Sequence, residues 1–192
     1  MIRQGKVRYF GVSNFHSWRI AEVVRIADQL RIDRPVASEP LYNIADRTAE
    51  VEQLPAAAHH GLGVVPYSHL ARGVLSGKYA VDAPPPADSR AGRGDKRIQQ
   101  AEWRPESLKL AQAIAAHAAE RGTTSIAFAL AWILGNKLVS ATIARAPYRG
   151  AVGQLCRSPV ASARSGRRAL CRWPGPTRPR IDTGLYRSRI SG

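Results

Sequence analysis

Two clusters of residues in this 192-residue sequence could do chemistry. The first is Ser13-Asn14, a pair of short polar side chains that closes the β-branched and aromatic run Lys6–Val12. Such groups can hydrogen-bond a carboxamide, and they can equally cap a following helix. The second is Arg72-Gly73 together with Gly77-Lys78. Its glycines admit close approach to the backbone, and its two cations supply positive charge. A solvated basic loop is the plain alternative. No metal-ligand spacing joins His16, His59, His60, His69 and His117, which read as surface or helix residues, and no metal site is expected. Cys156 and Cys171 give neither zinc spacing nor a disulfide framework.

Secondary structure has to position these residues. After Lys6–Val12, apolar side chains recur at helical spacing at Ile20, Val23, Val24, Ala27 and Leu30, with Asn14 or Ser17 available as a cap. Pro35–Ser38 predicts a second short strand, left through Tyr42-Asn43-Ile44. Helical spacing returns at Val51, Leu54 and Ala58, with Gly61 as its stop. Gly63–Ser68 is a continuous apolar run of the kind buried on both faces of a parallel sheet. A polar segment from Asp82 to Gln100, rich in Pro, Gly and Arg, predicts a loop of functional length. Leu108, Ala111, Ile114 and Ala115 mark a helix stopped by Arg121-Gly122. Thr123 or Thr124 caps the next, which runs through Ile126, Leu130, Ile133 and Leu134 to Gly135, and Leu138–Ile143 predicts a fourth strand.

Strand and helix thus alternate, which argues an α/β fold with a parallel sheet built from βα units. A barrel and an open doubly wound sheet both satisfy that pattern. No glycine-rich dinucleotide fingerprint follows a strand, since Gly61-Leu62-Gly63 precedes one.

Composition narrows the class. No apolar stretch approaches the ~18 unbroken residues of a membrane span. Met1 to Lys6 lacks the apolar core of a secretory signal, so a reducing, cytoplasmic setting is expected. A net charge of +15 suggests nucleic acid at first sight. Yet residues 1–144 carry 18 Lys/Arg against 13 Asp/Glu, a net of +5, whereas residues 145–192 carry 11 Arg and one acid, Asp182, a net of +10. Most of the excess belongs to the tail, and no specific nucleic-acid partner is expected. Rich in Arg, Pro, Ser and Gly, that tail reads as disordered, because it cannot bury enough apolar surface to order itself.

Four stretches in register carry a resemblance. Gly5–Phe15, reading Gly-Lys-Val-Arg-Tyr-Phe-Gly-Val-Ser-Asn-Phe, resembles the fifth strand of aldo-keto reductases, a (βα)8 barrel family. Glu39-Pro40-Leu41-Tyr42-Asn43 resembles the exit of the sixth, where the family usually has Gln in place of Glu39. Val65–Tyr79 is similar to the seventh strand and its loop, with His69 where Pro is expected, and Ala127–Trp132 to the helix before the eighth. The resemblance implies that residues 1–144 are the C-terminal half of a (βα)8 TIM barrel, incomplete, followed by the disordered basic tail 145–192. It implies NADP(H) as cofactor and a small-molecule aldehyde or ketone reduced to an alcohol.

Chemistry in a parallel barrel gathers at the C-terminal ends of the strands. There the resemblance implies that Ser13, Asn14 and Glu39 hold the nicotinamide amide and that Tyr67 stacks on the ring. Ser68, Leu70, Arg72, Gly73 and Lys78 would follow the pyrophosphate. An aromatic that only fills the barrel is the alternative for Tyr67. A carboxylate at Glu39 accepts from the amide NH2 but cannot donate to its carbonyl.

The family's proton donor is a Tyr supported by Asp, Lys and His, all from the first four strands. None of these matches a position here, so no catalytic residue is assigned and the chain alone is expected to be inactive. At Arg145 the resemblance breaks. Back-translated and read one base later, Arg145–Gly153 permits Gly-Pro-Arg-Thr-Glu-Glu-Gln-Trp, and Leu185–Ser191 permits Phe-Thr-Asp-Pro-Glu-Phe-Pro. Both resemble family sequence, which predicts a reading-frame shift near Ala144. A catalytically silent cofactor-binding or regulatory module stands as the second class of function. Four strands leave two free edges, so a homodimer or a complementing half barrel is the expected partner.

Overall fold

The computed structural model describes residues 1–143, so the expectations for the tail and its reading frame fall outside the described residues. Three short parallel strands form the sheet: β1 (Gly11–Ser13), β2 (Ala37–Glu39) and β3 (Gly63–Val64), side by side in chain order. Gly11 pairs with Ala37, Val12 with Ser38, Ser13 with Glu39, and Ser38 with Val64. Parallel neighbours in chain order, each joined by a helical crossover, are consecutive βα units. Gly11 is demanded by the pairing itself, because a Cβ there would lie 2.8 Å from the Ala37 carbonyl oxygen.

Prolines trim the strands at both ends of the sheet. The predicted first strand, Lys6–Val12, is realised only from Gly11. Its ladder begins where the Val36 N–H donates to the Phe10 carbonyl at 2.9 Å, and the preceding residue, Pro35, has no N–H to extend it. The predicted fourth strand lies along the free edge of β3 without becoming regular. Ser140 donates its N–H to the Val64 carbonyl at 2.9 Å, and Ile143 donates to that of Pro66 at 3.2 Å. Pro66 cannot donate in return, and hydroxyls fill in: Val64 N–H donates to Ser140 Oγ at 3.3 Å and Thr142 Oγ to the Pro66 carbonyl at 3.0 Å.

The helices are α1 (Ser17–Leu30), α2 (Gln53–His59), α3 (Lys96–Ala101), α4 (Pro105–Glu120) and α5 (Ser125–Gly135). α3 interrupts the predicted polar loop, because Asp95 caps it by accepting from the N–H groups of Arg97 and Ile98. Of the two candidate threonines, Thr124 caps α5, accepting from Ala127 N–H. Two apolar cores result, and Trp132 of α5 packs against both. One joins Val12 and Val64 of the sheet to Ile20, Val24, Leu54, Ala57 and Ile133. The other lies beneath the segment after β3 and joins Val74, Leu75 and Tyr79 to Ile98, Leu108, Ile114 and Phe128. No helix among the described residues is long and apolar enough to cross a membrane.

Candidate functional site

Ser13, Asn14, Glu39 and Tyr67 come together at the C-terminal ends of the strands. Parallel register achieves this, pairing Ser13 with Glu39 and bridging Leu41 to Tyr67. The Glu39 carbonyl oxygen receives the Ser13 hydroxyl at 2.9 Å and the Asn14 N–H at 3.3 Å. Asn14 has a φ of 55°, a left-handed conformation that Asn adopts more readily than most residues. Its Oδ1 accepts from Leu41 N–H at 3.1 Å and from the Tyr67 hydroxyl at 3.3 Å, while its Nδ2 donates to Ser13 Oγ at 3.2 Å.

The capping alternative is thereby excluded for both candidates. Asn14 is engaged across the strand ends, and the Ser17 hydroxyl donates to Glu52 at 2.7 Å. The N-cap of α1 is His16, which makes no side-chain capping bond and instead meets Glu52 at 2.7 Å through Nδ1. Burial opposes the charge on Glu52, but bonds from Ser17 and His16 outweigh it and hold the carboxyl below its usual range.

Asn14 Nδ2 carries a second hydrogen, and a carboxylate at Glu39 only accepts. A donor and an acceptor on adjacent strand ends are the pair a primary amide needs. The Tyr67 ring is half-buried, and its hydroxyl donates to Asn14 at 3.3 Å.

Beyond Tyr67 the backbone turns repeatedly through the left-handed region. Ser68, Ala71, Arg72 and Gly73 have φ of 62°, 47°, 54° and 104°. The N–H groups of Ala71 and Gly73 bond back to Ser68 and Leu70 carbonyls, each at 2.8 Å, so this loop offers an anion its side-chain charges more than these amides. Gly73 is called for by its backbone, at φ 104°, and not by space, since a Cβ there would meet Lys78 Nζ only at an ordinary 3.8 Å. Lys78 is exposed, with Nζ 5.0 Å over the Tyr79 ring. Arg72 is half-buried, and its Nε is enclosed without a hydrogen-bond partner among the described residues. An enclosed guanidinium donor beside an exposed ammonium fits an anionic group such as a phosphate. Buried Glu102 lies in the field of Arg72; burial pushes its carboxyl up, Asp46 adds to this, and Arg72 and Arg104 oppose it.

Three details differ from expectation or escaped it. Gly77 serves packing, since a Cβ there would meet Ser125 Oγ at 3.1 Å and Ala115 at 3.4 Å. His69 is no surface residue: it is 8% exposed, with Nδ1 unpartnered among the described residues. Asn43 is fully buried and donates through Nδ2 to the Ser68 carbonyl at 3.1 Å. Only its place at a strand exit signalled it in the sequence. No group of three His, Cys, Asp or Glu among the described residues could hold a metal ion.

Residues 1–151 match the aldo/keto reductase family, and the chain belongs to it. It is 33% identical over 142 residues to an uncharacterized oxidoreductase of Bacillus subtilis (strain 168), covering 74% of this chain and 41% of the relative. It is 34% identical over 145 residues to probable voltage-gated potassium channel beta subunits of Oryza sativa subsp. japonica and Arabidopsis thaliana, covering 74% of this chain and 44% of each. The chain therefore spans less than half the length of these relatives. The family fold is the (βα)8 barrel, and the parallel βα units described above agree with it.

Proposed function

We propose that residues 1–144 form the cofactor-holding portion of a half barrel that binds NADP(H) for the reduction of aldehydes or ketones to alcohols in the cytoplasm. The observation that carries this reading is the hydrogen-bonded set of Ser13, Asn14, Glu39 and Tyr67 at the ends of parallel strands. Glu39 enters that set through its backbone carbonyl. Ser13, Asn14 and Glu39 would hold the nicotinamide amide, with Asn14 Nδ2 offering a donor to its carbonyl and the Glu39 carboxylate an acceptor to its NH2. Tyr67 supplies a ring for stacking. Ser68, Leu70, Arg72, Gly73 and Lys78 take the pyrophosphate side, with charge from Arg72 and Lys78. The reduced nicotinamide supplies the hydride when bound.

The proton for the carbonyl oxygen comes from a group outside the matched residues, so this chain alone turns over no carbonyl. Its grip is also incomplete. The resemblance implies a clamp for the adenosine ribose phosphate after the eighth strand, where it breaks at Arg145, and a frame shift near Ala144 would account for that break. Losing two charge-assisted contacts at ~1.5–3 kcal/mol each weakens binding by roughly two to four decades. Calorimetric titration of the purified chain with NADPH, followed by an assay of aldehyde-dependent NADPH oxidation, tests both parts. Binding weaker than micromolar and no oxidation above background are expected. Micromolar or tighter binding overturns the weak grip, and turnover overturns the missing proton donor.

A second reading is a catalytically silent cofactor-binding or regulatory module, favoured by the relatives named as channel beta subunits. Supplying a complementing half barrel separates the two. A reductase gains aldehyde turnover, and a silent module gains cofactor affinity alone.

A further inference from the structure

The exit of β2 holds both sides of the site. The Pro40 carbonyl accepts from Tyr67 N–H at 3.1 Å, and Leu41 N–H reaches Asn14. Past Tyr67 the backbone pairing ends, and the tie from this segment to the next residue is the Asn43 side chain. Its Oδ1 accepts from the N–H groups of Ala45 and Asp46, each at 2.9 Å, and closes a turn. Its Nδ2 donates to the Ser68 carbonyl oxygen at 3.1 Å. That same oxygen receives Ala71 N–H at 2.8 Å, where the left-handed run Ala71-Arg72-Gly73 begins. Ser68 is itself left-handed, which its Cβ disfavours, so something must hold it there.

We propose that Asn43 is a positioning residue whose side-chain N–H fixes the Ser68 carbonyl and, through it, the conformation of Ser68–Gly73. What the loop binds rests on the cofactor reading above; how the loop is held does not. The buried carboxamide is divided between two tasks, and the two can be separated chemically. Ionised aspartate, at the pH of about 8 or above used for the comparison, keeps the shape of the side chain and an oxygen for Ala45 and Asp46 but cannot donate to Ser68.

Hydrogen exchange on the full chain with Asn43→Asp is the test. Amides of residues 69–73 should exchange on the order of tenfold faster, with α1 and α4 unchanged, because a lost bond lowers the cost of local opening. The NADPH dissociation constant should rise by a similar factor. Glycine enters the left-handed region freely, so in a Ser68→Gly background Asn43→Asp should have a much smaller effect. Wild-type exchange in the loop of Asn43→Asp overturns the proposal. If that variant unfolds globally, the wild-type chain decides by NMR: a protected Asn43 side-chain amide proton supports the proposal, and one exchanging at the solvent rate overturns it. A loosened loop in Asn43→Asp, with no NADPH bound by wild type even across the roughly two to four decades of weakening expected above, refutes the cofactor reading and leaves the positioning role standing. NADPH binding with an unchanged loop does the reverse.

Discussion

The strand ends and the loop after β3 hold their functional groups by opposite means. Ser13 and Asn14 are exposed and are kept in place by polar contacts of 2.9 to 3.3 Å, to each other and to neighbouring strand ends. The loop has a core of its own: Val74 and Leu75 are 0% exposed and pack with Tyr79, Ile98, Leu108, Ile114 and Phe128. Its charged residues ride on a left-handed stretch of backbone that is tied to Asn43 at Ser68 and backed from below by this apolar core. Exposed hydrogen bonds compete with water and contribute little net stability, whereas a buried leucine is surrounded by contacts that nothing replaces. The strand-end residues can therefore be changed singly at small cost, while a change under the loop should reach Arg72 and Lys78 without touching either.

The largest effect tests that contrast directly. Leu75→Ala should lower stability by about 2–5 kcal/mol. Ser13→Ala should cost only about 0.5–1.5 kcal/mol, both read from urea unfolding. Equal costs would break the comparison. Next comes Tyr67, where ring and hydroxyl have different work. Tyr67→Ala should weaken NADPH binding by about tenfold or more, on the scale of aromatic stacking at ~1–3 kcal/mol. Tyr67→Phe loses only a 3.3 Å bond to exposed Asn14 and should change affinity little. If the two variants bind NADPH equally poorly, the hydroxyl and not the ring carries the role.

Glu39→Gln is smaller and has the opposite sign. It restores a donor beside Asn14 and should tighten NADPH binding by about 0.5–1.5 kcal/mol, a few-fold to tenfold by calorimetry. Unchanged affinity would remove Glu39 from the amide site.

How much of this could be read from the sequence follows the same division. That Ser13 and Asn14 lie at a strand end was legible from their short polar side chains after an apolar run, whereas Glu39 and Tyr67 were singled out through the family resemblance. Parallel register is what brings the four together. Helix stops were legible too, since Gly61 and Gly122 have φ of 75° and 63° just past α2 and α4. What escaped depends on partners distant in the chain. Asn43 reaches a carbonyl 25 residues away, and His69 is buried by packing that no local pattern announces. The left-handed turns at Ser68, Ala71 and Arg72 carried no glycine to mark them. The short strands escaped because apolar runs do not reveal which of their residues lack a pairing partner. The prolines that end the ladders, Pro35 and Pro66, act on the neighbouring strand and not on their own.

His69 gives the comparison its subtlest test, because it puts a titratable group inside the packed loop. Burial pushes its imidazole below the ordinary 6.5, opposed by a hydrogen bond to the Ile143 backbone. Protonation would add an N–H at Nδ1, which has no partner among the described residues. The unfolded chain therefore takes up this proton more readily than the folded one. The neutral imidazole's contribution is complete above pH 6.5 and is lost as pH falls from there through the folded value. Buried Glu102 works in the other direction, because its raised carboxyl favours the folded state as pH falls. A raw stability curve would mix the two, so the informative quantity is the difference between wild type and His69→Gln. Glutamine has no charge to gain and keeps a donor for Ile143. Measured by urea unfolding between pH 8 and pH 5, wild type should lose more stability than His69→Gln below 6.5, with hydrogen exchange in the loop quickening alongside. Parallel curves would mean that His69 is not sealed from solvent, and that the loop is held less tightly than its apolar core suggests.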